Sequence, residues 1–148
     1  MAVTLGEINQ SNWKKCIWLN PGKDQAHFVA PNTYSLVEAA YEPNCFPLAI
    51  YTGEEMVGFV MYNFNDDDYN WWICRLMIDE KEQGKGYGRA GLREAIKLLA
   101  AKPDCSQIVI TWEPENLKGE KLYLSEGFIK TGEIIEEEVV GRLYLNKA

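Results

Sequence analysis

Residues 76–91 read LMIDEKEQGKGYGRAG, and the order of residue types in this stretch governs how the rest of the chain is read. Leu76, Met77 and Ile78 end an apolar strand, Asp79 to Glu82 form a charged turn, and Gly84, Gly86 and Gly88 precede a helix. Glycines let the backbone turn and present its N–H groups to a ligand. At a helix start those groups, with the helix dipole behind them, form an anion site. Lys85 and Arg89 add positive charge beside it. The stretch predicts a site for a phosphate-bearing cofactor.

Several loop types compete for these residues. Gly86, Gly88 and Gly91 satisfy G-x-G-x-x-G, but a dinucleotide fingerprint normally follows the first strand of a βαβ series, and this one lies past mid-chain. The GK[ST] ending of a P-loop is absent. A glycine-rich turn with no ligand fits the loop taken alone. The remaining pattern is Q-x-x-G-x-G, carried by Gln83, Gly86 and Gly88. A second segment, Asn116 to Phe128, reads NLKGEKLYLSEGF. Together the two resemble the GNAT N-acetyltransferase superfamily: its acetyl-CoA pyrophosphate loop, then its N-x-x-A-x-x-L-Y-x-x-x-G-F pattern. Gly119 stands where that family usually has Ala. Two motifs in order, with a strand between them, are more specific than either alone.

The resemblance implies an α/β (α+β) fold with one N-acetyltransferase domain over residues 1–148. Its sheet would be mixed and mostly antiparallel, with two splayed central parallel strands and flanking helices. The implied cosubstrate is acetyl-CoA, with no metal. Backbone groups of Leu76, Met77 and Ile78 would pair with its pantetheine arm. Gln83, Gly84, Lys85, Gly86, Tyr87, Gly88 and Arg89 would hold the pyrophosphate. Asn116 would bind the cofactor or cap a helix, and Lys121 is either a contact to outer phosphates or a surface lysine. Tyr123 falls on the family's tyrosine, the general acid for the departing thiolate. A phenol with a pKa near about 10 keeps its proton at neutral pH and can still release it. Glu113 is the first candidate for the general base, against a simple turn carboxylate before Pro114.

The acceptor is less sharply encoded. From Leu48 to Ile78 the chain looks like bacterial spermine/spermidine acetyltransferases, although Ile73-Cys74 stands where those relatives usually carry an acid before the arginine matching Arg75. Asp66, Asp67 and Asp68 lie beside Tyr69, Trp71 and Trp72, and this grouping could hold a polyamine by charge and cation–π attraction. Another small amine, a protein N-terminus and a non-catalytic acyl-CoA-binding module stay open as alternatives. Whether the chain forms a homodimer is also open.

Composition limits the field further. The net charge is −7, from 22 acidic and 15 basic residues, which argues against nucleic acid as a partner. Lys85, Arg89, Arg93 and Lys97 recur every four residues along the helix predicted after the loop; the first two fall in its opening turn, where phosphates would sit, and Arg93 and Lys97 on a solvated face. Glu136-Glu137-Glu138 either attracts a cationic acceptor or serves solubility. No run is long and apolar enough to span a membrane, and the four scattered cysteines contain no CxxC pair. They read as reduced thiols of a cytoplasmic protein. His27, the single histidine, reads as structural.

Periodicity and breakers give the remaining elements. A strand over Val3 to Ile8 precedes a short helix capped by Ser11, and a second helix ends before Pro43. Pro47 to Thr52 and Met56 to Phe64 form a hairpin about Gly53-Glu54-Glu55. Strands follow over Trp71 to Ile78 and Gln107 to Trp112, with a helix from the glycine loop to about Ala101 between them. A helix over Asn116 to Glu126, stopped by Gly127, precedes two closing strands, Phe128 to Ile135 and Val139 to Leu145.

Overall fold

The computed structural model describes residues 2–147. The chain runs β1 (Thr4–Glu7), α1 (Trp13–Trp18), α2 (Asn32–Tyr41), β2 (Cys45–Thr52), β3 (Glu55–Asn65), β4 (Asn70–Ile78), then a single 3₁₀ turn (Glu80–Glu82) and α3 (Tyr87–Ala100). It ends with β5 (Gln107–Trp112), α4 (Leu117–Ser125), β6 (Ile129–Ile135) and β7 (Glu138–Tyr144). One seven-stranded sheet in the order β1-β2-β3-β4-β5-β7-β6 gathers all the strands. Every neighbouring pair is antiparallel except β4 and β5. The expected elements are all present.

The sheet is covered on both faces. On one, Leu92, Ala95 and Leu99 of α3 and Tyr123 of α4 pack against Val60, Ile73, Ile108, Ile110 and Trp112. These spacings are those of one helix face meeting alternate strand residues. On the other face, Cys16 of α1 and Leu36 and Ala39 of α2 cover Phe59, Met61 and Met77. That second cover stops at β4.

Two local expectations change. Asn12, not Ser11, occupies the cap position of α1, and Ser11 instead donates through both its N–H and its hydroxyl to the Asn9 side chain. Lys85 lies before α3 rather than on it and pairs with Glu82 at 3.0 Å. Among the described residues no helix is long and apolar enough to cross a membrane.

Candidate active site

The parallel pair β4–β5 holds only over Trp71↔Ile108, Trp72↔Val109 and Ile73↔Ile110. Beyond Ile73 the strands part, although β4 continues to Ile78 and β5 to Trp112. The cause is local. Met61 faces Arg75 and Tyr62 faces Ile73, so Cys74 is an extra residue in β4, a β-bulge at the point of separation. A bulge bends its strand and increases its twist, which carries the end of β4 away from β5. A cleft of about 840 Å³ fills the opening.

Strand alternation assigns the walls to faces. Leu76, Ile78 and Trp112 point into the α3/α4 core, so Met77, Thr111 and Trp72 point to the opposite face. Glu138 follows by the same alternation from Val139, which pairs with Trp112. The slot therefore passes through the sheet. On the helical face it is flanked by Gly86, Gly88, Arg89, Lys118, Lys121 and Tyr123. On the other it is flanked by the segment between α1 and α2 (Gln25 to Ala30), Trp72, Glu136 and Glu138.

The loop carries the geometry an anion needs. Gly86 caps α3 in the left-handed conformation, φ 89° and ψ 4°. From Gly84 to Arg89 the backbone N–H groups have no partner among the described residues. Gln83 acts on the loop rather than on an anion. Its side-chain amide donates to the carbonyls of Pro21 (2.8 Å) and Ile78 (2.9 Å), locking the loop to the end of β4. Arg89 is held by Glu126 and by the Ser125 hydroxyl, and Arg93 reaches the same Glu126 at 2.6 Å. These contacts tie the start of α3 to the end of α4. Gly84, Lys85 and Tyr87, expected at the cofactor, do not line the cleft, whereas Gln83, Gly86, Gly88 and Arg89 do.

Tyr123 enters the slot from α4. Its ring packs on Trp112 and Phe128, with centroids 5.3 and 6.4 Å away, and its hydroxyl has no hydrogen-bond partner among the described residues. Burial, and then the charge of Glu138, push the phenol up to about 12. It therefore stays protonated more firmly than an exposed tyrosine. Asn116 caps α4, accepting from the Gly119 N–H at 3.0 Å. A Cβ at residue 119 would lie 2.7 Å from the Asn116 amide nitrogen, so an alanine there would need that side chain to shift.

The expected acceptor residues divide. Trp72 and Glu113 line the cleft, while Asp66, Asp67 and Asp68 do not. Asp66 accepts from Asn44. Asp68 takes two hydrogen bonds from the buried Arg142, at 2.9 and 3.0 Å, and one from the Trp72 indole at 3.0 Å. Burial works to raise its carboxyl, but the bonds from Arg142, Asn70 and Trp72 outweigh burial and hold it below the usual range. Asp66 and Asp68 are thus engaged in structural contacts and Asp67 is exposed outside the cleft, an arrangement set by partners that lie far apart in sequence. Glu136, Glu138, Thr111 and His27 reach the site instead. The acidic run at 136–138 was a signal for two of them; Thr111 had none.

The sequence profile of the Acetyltransferase (GNAT) family matches residues 10–128. The chain belongs to this family. It is 27% identical over 140 residues to the spermine/spermidine N(1)-acetyltransferase of Bacillus subtilis (strain 168), covering 90% of this chain and 92% of that one. Its fold is similar to that of the aminoglycoside acetyltransferase AAC(6')-Ib in complex with coenzyme A, with a TM-score of 0.79, 17% identity, and 97% and 95% of the two chains covered. The spermidine N-acetyltransferase of Vibrio cholerae in complex with CoA and spermine gives a TM-score of 0.74 at 17% identity, with 97% and 94% covered. This GNAT protein is accordingly an acetyl-CoA-dependent N-acetyltransferase. Its unpartnered loop N–H groups and the open slot between β4 and β5 fit that cosubstrate.

Valine at Gly86 is expected to raise the KM for acetyl-CoA with little change in kcat. A β-branched residue is an outlier in the left-handed region. About 1–3 kcal/mol of strain there corresponds to roughly 5- to 150-fold in KM. Steady-state kinetics, with circular dichroism to verify folding, checks this; an unchanged KM would remove the loop from the cofactor site.

Proposed function

We propose that this acetyltransferase acts on a primary amine of a polyamine such as spermine or spermidine, with Tyr123 as the general acid. The observation that supports this reading is the opposite charge at the two mouths of the slot. Arg89, Lys118 and Lys121 flank the helical face, where a phosphate-bearing cosubstrate enters at the loop. Glu136 and Glu138 stand at the other mouth, beside the aromatic face of Trp72. Arg75, the cation on that side, is matched by Glu38 at 2.9 Å. An extended polycation would gain both from the carboxylates and from the indole. The Bacillus relative's name points to the same acceptor class.

In this reading Leu76, Met77 and Ile78 offer backbone groups along the slot, freed because β5 no longer pairs with them. A backbone N–H there would stabilise the oxyanion formed on attack at the thioester. Asn116 shapes the start of α4 and so the approach of Tyr123.

The test is an acetylation assay across an amine panel. Spermine and spermidine are expected to exceed butylamine in kcat/KM, with an advantage that shrinks as salt screens the carboxylates. Glu136→Gln should raise the KM for spermine roughly fivefold, the factor for about 1 kcal/mol, and leave butylamine little changed. Asp66→Asn, outside the cleft, serves as the control with no effect. Equal turnover of spermine and butylamine at all salt concentrations would refute the polyamine assignment.

A further inference from the structure

We infer that Glu138 is the group that takes the proton from the acceptor ammonium, held in position for this by Thr111. The inference rests on the acetyltransferase reading of the slot but not on the acceptor being a polyamine.

Glu138 opens β7 and faces the same side of the sheet as Thr111 and Trp72, the side from which an acceptor reaches the slot. One carboxylate oxygen accepts from the Thr111 hydroxyl at 2.7 Å. This bond draws the side chain over β5 toward the gap and leaves its second oxygen without a partner among the described residues. The preceding hairpin turn is costly to form: Glu136 and Glu137 have φ of 49° and 68°, left-handed values that Asn and Gly adopt more readily. Glu113 also lines the cleft, but no side chain among the described residues anchors its carboxylate. Glu138 is anchored, half-buried and aimed.

Glu138 also lies near enough to Tyr123 for its charge, after burial, to raise the phenol. The two groups therefore act as a coupled pair across the slot. The acceptor ammonium gives a proton to the free Glu138 oxygen, and the nitrogen lone pair then forms the C–N bond at the thioester carbonyl. As the C–S bond breaks, the leaving sulfur takes the Tyr123 proton, and one of the two protons on nitrogen passes to the phenolate, the other staying as the amide N–H. Glu138 releases its proton to solvent. One ammonium and one thioester become one amide, one thiol and one free proton. While Glu138 holds the proton it carries no charge, so Tyr123 is a stronger acid at the moment one is needed.

Glu138→Gln keeps the shape and the Thr111 contact and removes the base. With both spermidine and butylamine, kcat/KM at neutral pH is expected to fall by about 10²–10⁴-fold, the range for a general base, with the KM for acetyl-CoA retained. The deficit should narrow as pH rises to about 9.5, because the amine then loses its proton to solvent. Other groups at this mouth are Glu113, Glu136, His27, Cys74 and Arg75 with its partner Glu38. Burial pushes Cys74 up to about 12, so neither it nor Tyr123 ionises appreciably in this range. Without any substrate, the Tyr123 phenol should ionise at lower pH in Glu138→Gln than in the wild type, read as the absorbance difference from Tyr123→Phe. A deficit independent of pH, activity within threefold of wild type, or an unmoved phenol titration would each overturn the assignment. Failure of the polyamine reading appears separately, as wild-type enzyme indifferent to spermidine over butylamine.

Discussion

Tyr123→Phe is expected to lower kcat by about 10²-fold or more while changing the KM for acetyl-CoA little. The substitution keeps the ring that packs on Trp112 and Phe128 and removes only the donated proton. Single-turnover measurement, where chemistry limits the rate, is the appropriate check; an unchanged rate would exclude Tyr123 as the acid. The same variant carries a second signature. Below about pH 10 the phenol is neutral in both folded and unfolded chains, and its packing contributes in full. Between about pH 10 and about 12 the unfolded tyrosine ionises and the buried one does not, so folding stability falls as pH rises. Phenylalanine abolishes that fall, a difference of about 2–3 kcal/mol at its upper end. Urea unfolding across this range should give a flatter curve for the variant.

Arg142→Met is expected to cost about 3 kcal/mol of stability, a fall of roughly 6–12 °C in Tm for a chain of this size. Arg142 is only 8% exposed and bonds Asp68, Gln107 and Glu133 at once. Methionine replaces its bulk but leaves two carboxylates facing each other without a cation. Asp68→Asn and Glu133→Gln in the same background should recover much of the loss, because they remove the orphaned charge rather than restore the pair. The wild type also gains a pH dependence from this network. Hydrogen bonds from Arg142 hold the Glu133 carboxyl below the usual range, as they do Asp68 against its burial. That stability is present above the ordinary carboxylate pKa near about 4 and is lost as pH falls through the lowered folded values. The variant should therefore be less stable at neutral pH and less sensitive to acid. A variant as stable as wild type at neutral pH would show that the network contributes nothing.

The local grammar of this fold is written in the order of its residues. Glycine at 86 dictates a left-handed cap before α3, and the apolar spacing of Leu92, Ala95 and Leu99 dictates a helix with one buried face. Runs such as Gln107–Trp112 are strands because short, near-continuous β-branched and apolar sequences suit a sheet buried on both faces. The placement of Gln83, Gly86, Gly88, Asn116 and Tyr123 at the cleft was legible because it depends on short spacings within one turn or one helix. Even there, the amide of Gln83 has a contact no spacing could reveal, with Pro21 from a distant loop.

Which acids face the slot depends instead on contacts that exist only after folding. Asp66 to Asp68 and Glu136 to Glu138 are equivalent as text, two acidic runs at hairpin tips. A guanidinium 74 residues away pairs with Asp68 outside the cleft, and a single threonine bond holds Glu138 at the slot. The opening itself is of the same kind: Cys74 becomes a bulge only because Met61 and Tyr62 of the next strand face Arg75 and Ile73. Charge neutralisation and strand register are properties of pairs brought together by folding. Their long-range partners are chosen by packing, which no local window contains.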